Sequence, residues 1–411
     1  MPAEDEAEAV AVVLPPPDAA RVAVELWETG EAVVPLDPAS PAPDLRRSLE
    51  ALRPTALIDA DGRRRLPGGV PAGAGVAAIV ATSGTTGERK GVELTFAGLA
   101  ASGAAVASAI GAEGVVGGGG AWLCCLPVHL VAGLAVVGRA WVTGAPVSVH
   151  AGFDPAAIGE AARRETASVS LVPTMLRRLL ETDPDVVSRF GHILLGGGAI
   201  DPALLARARN AGAAVSTTYG MTETWGGVVH NGHPLAGVEL RLDPPSEDGQ
   251  VGEILVRAPM LMRGYRLWPE CTAAAIETDG WYRTGDLGRF DPEAGRRLWV
   301  LDRLGDVVNT GGIKVSPTEV ERVLAAHPAV ADVCVAGRPD PEWGQRVVAF
   351  VVPSESRAAP TLADLRDFAR EHLAAAKLPR EVVVLPAIPR TAGGKPLRRL
   401  LPAPGRTGPR R

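Results

Sequence analysis

Up to about residue 235, short apolar runs alternate with stretches whose apolar residues recur at helical spacing. The runs end in clusters of glycine, serine, threonine or histidine. This alternation predicts strands covered by helices. The segments 32–36 (AVVPL) and 55–59 (TALID) read as strands around a helix at 45–52, and 76–80 (VAAIV) as a strand leading toward an alanine-rich helix at 96–110. Between 122 and 150 the pattern gives a strand, a loop bearing His129, a helix and another strand. A helix at 155–165, a strand at 168–172, a helix at 174–181 and strands at 193–195 and 213–217 follow. Such a succession argues for parallel sheets with helices on their faces. Ligands of open α/β sheets bind beyond the carboxyl ends of strands, the position held by the loops at 81–91, at His129, at 196–198 and at 218–220.

From about Gly237 the texture changes to short strands with turns, a small β-rich subdomain. After Arg303 it becomes mixed, with helices at 317–326 and 362–372 and strands at 330–337, 347–352 and 381–385. The expected fold class is α/β. A large N-terminal domain, residues 1–302, combines parallel-rich sheets, covering helices and the β-subdomain, and a small α+β domain, 303–411, follows it. The basic tail from Arg398, interrupted by proline and glycine, reads as frayed.

Composition narrows the class without naming a chemistry. A chain of 411 residues with 46% hydrophobic and 22% charged residues can bury two or three domains and is neither disordered nor membrane-spanning in character. A net charge of −5 gives no basis for a nucleic-acid partner or an anionic membrane surface, which leaves small molecules as the expected partners. Cys124, Cys125, Cys271 and Cys334 lack metal-ligand spacing and read as buried free thiols of a reducing compartment. The acidic N-terminus lacks the basic start and long apolar core of a signal peptide, so the expected location is the cytoplasm. Nothing in the pattern specifies an oligomeric state. Of the 42 Lys+Arg only Lys90, Lys314, Lys377 and Lys395 are lysine. In an arginine-rich chain a lysine marks a place for a compact, mobile ammonium, and three of these four fall in or beside motifs.

The first motif is ATSGTTGERKG at 81–91. Thr82, Ser83, Gly84, Thr85, Thr86 and Gly87 cannot pack a core. After a buried strand, such glycines expose backbone N–H groups, the hydroxyls add donors and Lys90 adds charge, all suited to an anion. The glycine spacing rejects a mononucleotide P-loop, since no Gly-Lys-Ser/Thr follows. Further motifs are the GGGAI run at 196–200, TTYGMTET at 217–224, WYRTGDLG at 281–288 and PRTAGGKPLRR at 389–399. Read bare, these are a glycine turn, a helix cap, a turn aspartate and a flexible basic tail.

Together and in this order they resemble the adenylate-forming superfamily of acyl-CoA synthetases, peptide-synthetase adenylation domains and luciferases, across roughly residues 36–399. The resemblance implies ATP, Mg²⁺ and coenzyme A as cofactor and co-substrates, and a small-molecule carboxylic acid as partner. It implies that the 82–87 loop with Lys90 holds the β- and γ-phosphates. Gly197, Gly198 and Ala199 would lie beside adenine, with Thr218, Tyr219 and Gly220 flanking it. Thr222 would meet the α-phosphate, and Glu223 would help hold Mg²⁺, a cation that takes hard carboxylate and phosphate oxygens. Asp286 and Arg303 would bond the ribose hydroxyls, and Lys395 the substrate carboxylate and α-phosphate. Gly311 and Gly312 would line the pantetheine channel, and residues 303–411 would form a mobile lid. The sequence departs from the family at Gly305, which stands where the hinge usually carries Asp or Lys.

The abbreviated N-terminal region, LVPTMLRRLL, LLGGGAIDPALL and the compact second domain resemble the o-succinylbenzoate–CoA ligases of actinobacterial menaquinone synthesis. On that resemblance His129 belongs to the acyl pocket beside the reacting carboxylate, and Arg178, turned inward, would pair with the aromatic carboxylate that is not activated, with Arg177 solvated, about 100° away on the helix. Two other readings are another acyl- or aryl-CoA synthetase and a non-catalytic nucleotide-binding homologue.

Overall fold

A computed structural model describes residues 6–83, 89–111, 121–164, 167–244, 250–293, 295–354, 357–390 and 396–402; at Ser83 the description is of backbone only. The chain divides into two compact units, residues 1–240 with 255–283, and residues 241–254 with 284–411.

The first unit is built on two seven-stranded sheets. In one, the parallel strands Ala9–Val12, Ala32–Pro35, Ala56–Asp59 and Val76–Ser83 are flanked by antiparallel Arg89–Thr95, Gly264–Tyr265 and Gly62–Arg65. The strands AVAV and AVVP are buried throughout, as expected where helices cover both faces. One covering helix, Pro16–Glu28, buries Ala19, Val22, Ala23, Leu26 and Trp27 at helical spacing, and the Trp27 indole donates to the Ala77 carbonyl at 2.9 Å. The sequence pattern gives no element here, where three prolines follow one another. Pro16 and Pro17 instead occupy the first helical turn, where the missing N–H costs nothing. Equally absent from that reading was strand Arg89–Thr95. It lies antiparallel alongside Val76–Ser83, pairing Thr82 with Lys90. Thr95 then caps helix Phe96–Ile110, its hydroxyl accepting from the Gly98 N–H at 3.0 Å.

In the second sheet Val147–Val149, Ala121–Cys124, Ala167–Leu171, Ile193–Leu195 and Val215–Met221 run parallel in that spatial order, and antiparallel Gly226–His230 and His233–Pro234 complete it. The carboxyl ends of the parallel strands therefore share one edge, and the loops after 124, 171 and 195 emerge there. Val215–Met221 does not stop at 217. It pairs in parallel with Ile193–Leu195 through 215–217 and then antiparallel with Gly226–His230 through 218–221. Gly220 permits this: a Cβ there would lie 1.8 Å from the Gly226 carbonyl oxygen.

A four-stranded sheet is formed by Glu239–Asp243, Gly252–Arg257, Tyr282–Asp291 and Arg297–Arg303. In the second unit a five-stranded sheet comprises Ile313–Val315, Val308–Thr310, Gly344–Pro353, Val330–Asp340 and Glu381–Val384. Helices Pro317–Leu324 and Leu362–Ala369 close one face through Val320, Leu324 and Leu365. The other face is covered by Ile388 and Leu401, so the segment after Arg398 is not frayed as far as residue 402. Leu401 is buried with Phe350, and Arg398 is held by ion pairs to Asp306 and Glu321. Cys124, Cys125 and Cys334 are buried free thiols, as read, and burial pushes them up to about 11, 12 and 12. Cys271 is free but only half-buried.

Candidate functional site

Within the first unit Lys90 and the Thr222–Glu223 motif are joined by a residue from neither stretch. The Tyr265 hydroxyl donates to Glu223 Oε1 at 2.9 Å, and Lys90 Nζ stands 5.0 Å from the centre of the Tyr265 ring and 5.8 Å from that of Trp268. Burial and the Glu223 charge both raise the Tyr265 phenol, so it remains a donor at neutral pH. Tyr265 is in turn held by its neighbour. Arg266 is buried, and its guanidinium donates to the Leu52, Arg53, Val70 and Pro71 carbonyls and to Glu93 at 3.1 Å. Gly84, Thr85, Thr86, Gly87 and Lys395 lie outside the described residues. Thr82, with Lys90 opposite, lies on the strand that enters the loop, and Ser83 is the last residue of that strand.

Thr222 and Glu223 sit in a single 3-10 turn that reverses the chain between Val215–Met221 and Gly226–His230. The buried Thr224 hydroxyl accepts from the Met221 N–H at 3.1 Å and donates to the Gly226 carbonyl at 2.7 Å, while Trp225, fully buried in a left-handed conformation, donates to the Thr95 carbonyl. Thr222, Glu223 and Tyr219 are left half-buried on this rigid hairpin. Beside it, Gly196 packs tightly on Thr218: a Cβ there would lie 2.1 Å from the Thr218 hydroxyl and 3.0 Å from its carbonyl oxygen. Gly197, at φ +77°, Gly198 and Ala199 are exposed at the end of strand Ile193–Leu195. The geometry pairs Thr82 with Lys90, links Lys90 to Glu223 through Tyr265, and separately sets Gly196 against Thr218.

Asp286 and Arg303 face each other across two strands of the four-stranded sheet, with Arg303 Nε 2.9 Å from Asp286 Oδ1. Asp286 is buried, and its place is set by the preceding turn: the Thr284 hydroxyl donates to the Ile254 carbonyl and accepts from the Asp286 N–H, while the Gly285 N–H donates to Glu253. In the second unit Gly311 and Gly312 form the two-residue turn between Val308–Thr310 and Ile313–Val315, both at positive φ, which gives them a structural reason of their own. Gly305 lies in an open 3-10 turn with nothing near its Cβ position.

His129 Nδ1 is 3.9 Å from Asp37 Oδ1. Burial lowers its basicity and the carboxylate works against that. Helix Pro173–Thr182 buries Leu176, Leu179 and Leu180 and leaves both Arg177 and Arg178 exposed, so burial does not single out Arg178.

A family model described as AMP-binding enzyme matches residues 70–266, and one described as AMP-binding enzyme C-terminal domain matches 319–395. A probable 2-succinylbenzoate–CoA ligase of Mycobacterium tuberculosis is 39% identical over 329 residues, 78% of this chain and 82% of that protein. The chain belongs to the AMP-binding enzyme family. Its fold is similar to that of o-succinylbenzoate CoA synthetase from Bacillus subtilis in complex with the acyl-adenylate intermediate, with a TM-score of 0.87, 29% identity and coverage of 99% of this chain and 90% of that one. The same synthetase in complex with ATP and magnesium ion gives a TM-score of 0.84 at 29% identity, covering 97% and 90%.

The AMP-binding enzyme motifs were legible one by one, but Tyr265 and Arg266 were not. Their only signal was an aromatic and an arginine in a short irregular stretch, MRGYRLWP, with no motif around them. No group of three or more His, Cys, Asp or Glu able to hold a metal occurs among the described residues. A single carboxylate such as Glu223 fits Mg²⁺ nonetheless, because that ion usually keeps waters and takes its other oxygens from substrate phosphates. No helix among the described residues is long and apolar enough to cross a membrane.

Proposed function

We propose that this chain is an ATP-dependent acid–CoA ligase that converts 2-succinylbenzoate to 2-succinylbenzoyl-CoA through an acyl-adenylate, a step of menaquinone synthesis in the cytoplasm. The observation that carries it is the linkage of Glu223, Tyr265 and Lys90, which puts a carboxylate and an ammonium next to the mouth of the hydroxyl-rich loop. The similarity to 2-succinylbenzoate–CoA ligases supplies the acid.

In this reading Thr82, Ser83 and the 84–87 loop hold the terminal phosphates, with Lys90 behind them. Mg²⁺ supplies charge neutralisation as pyrophosphate departs, and Glu223, oriented by Tyr265, is the residue that holds it. Gly197, Gly198, Ala199, Thr218, Tyr219 and Gly220 receive adenine, and Asp286 with Arg303 the ribose. The acid carboxylate attacks the α-phosphorus and pyrophosphate leaves, with Lys395 and Thr222 stabilising charge on the transferred group. The CoA thiol then displaces AMP, its pantetheine arm passing Gly311 and Gly312 after residues 303–411 turn about Gly305 relative to 1–302. His129 meets the acid near its reacting end. Pyrophosphate release over a panel of carboxylic acids, with thioester detection after CoA is added, tests the reading. Release driven by 2-succinylbenzoate is expected. Preference for medium-chain fatty acids would leave a CoA ligase of another acid, and no release with any acid would leave a non-catalytic homologue.

A further inference from the structure

The second sheet of the first unit has two unlike faces. On one, Leu123, Val169, Leu171, Ile193, Leu195 and Val215 pack in an apolar core. On the other, the registers align Trp122 with Ser168, Ser170 with Leu194, Leu194 with Ser216, and Thr218 with His230. Parallel strands covered on both sides normally carry apolar side chains on both. Here one face carries a row of hydroxyls and a histidine, of which Ser170 and Thr218 keep some exposure.

Helix Val131–Thr143, which follows the His129 loop, lies on that polar face. Its sequence, VAGLAVVGRAWVT, is apolar except for Arg139 and the final threonine. Arg139 is 5% exposed. Its guanidinium stacks 4.9 Å from the Trp122 ring centre and its Nη2 donates to Ser170 Oγ at 3.3 Å. No carboxylate pairs with it among the described residues, and its Nε has no hydrogen-bond partner among them. The same holds for Nδ1 of buried His230. Burial draws Arg139 down to about 10, so it is still a cation at neutral pH, and draws His230 down to about 4, so it is a neutral imidazole there. A buried guanidinium without an anion is costly, and an anion brought by a ligand recovers that cost.

We propose that Arg139 receives the carboxylate of the bound acid that is not activated, with Ser170 and His230 as neutral groups of the same polar face. The assignment rests on the diacid reading above. It explains why the polar row is buried at all. An acid with a purely apolar tail would strand the guanidinium, so Arg139 selects for a second negative charge by penalising its absence.

The test compares 2-succinylbenzoate with 4-oxo-4-phenylbutanoate, which has the same succinyl arm and no ring carboxylate. In the wild type the diacid is expected to be far the better substrate. Arg139→Met should lower kcat/KM for the diacid by about 100-fold, the order expected when a charge-assisted pair is lost, and leave that for the monoacid unchanged or raised, with the KM for ATP unaltered. Arg139→Lys should restore part of the diacid preference. If Arg139→Met does not fold, as judged by circular dichroism and melting, Ser170→Ala carries the test, with a smaller loss confined to the diacid. Equal losses on both acids, or none, in a wild type that uses the diacid would overturn this assignment alone. A wild type that prefers the monoacid would overturn the diacid reading and the assignment with it.

Discussion

His230 is buried among groups that resist its charging: desolvation acts first, then the positive charge of Arg139 and the ring of His192. An unfolded histidine takes its proton near 6.5 and this one only near 4, so the unfolded state binds the proton first as the pH falls. Stability from this residue is therefore complete above about pH 6.5 and is lost progressively down to about pH 4, with a span of about 3 kcal/mol. Urea unfolding at pH 7 and pH 5 should show His230→Asn losing less stability than the wild type over that interval; parallel losses would mean that His230 titrates normally. In the sequence this histidine was one of seven and carried no motif, and Arg139 was one arginine among many. What makes either informative is burial without a partner, a three-dimensional property. Glu223 and Asp286 were legible because their neighbours in sequence also place them in space, through the turns at 222–224 and 284–286.

Elements set how much a single glycine matters. At Gly220 two strands cross so closely that an added methyl would meet the Gly226 carbonyl carbon at 2.4 Å as well as its oxygen, both backbone atoms that cannot yield. Gly220→Ala should cost at least ~2–3 kcal/mol and disturb the Thr222–Glu223 turn. Gly305→Ala, with open space at the same position, should shift the melting temperature by about a degree at most. Differential scanning calorimetry of the two variants checks this contrast. Both glycines look alike in sequence. Strands and helices with clear periodicity, such as Phe96–Ile110 and Ile193–Leu195, were placed from pattern alone, whereas Arg89–Thr95 was hidden because RKGVELT alternates poorly and begins inside a motif read as loop.

For the molecule as a whole, the proposed cycle needs Lys395 in the first half-reaction and its withdrawal in the second. Lys395→Ala should cut acyl-adenylate formation by about 100-fold or more while leaving thioester formation from pre-made adenylate nearly intact, as single-turnover assays of each half would read. Gly305→Pro should do the reverse, allowing the adenylate and blocking CoA. Lys395 directly precedes Pro396, which bridges to Arg390, and the Leu397 N–H donates to the Pro389 carbonyl at 2.8 Å. Arg390 is paired with Asp332, and Arg398 with Glu321 and Asp306. The described residues on either side of 391–395 are thus anchored within the second unit, and in the proposed cycle the step between half-reactions is a movement of that whole unit. The passage between half-reactions then becomes a matter of hydrodynamic drag, and raising solvent viscosity with sucrose should slow overall turnover while leaving the rate of adenylate formation nearly unchanged.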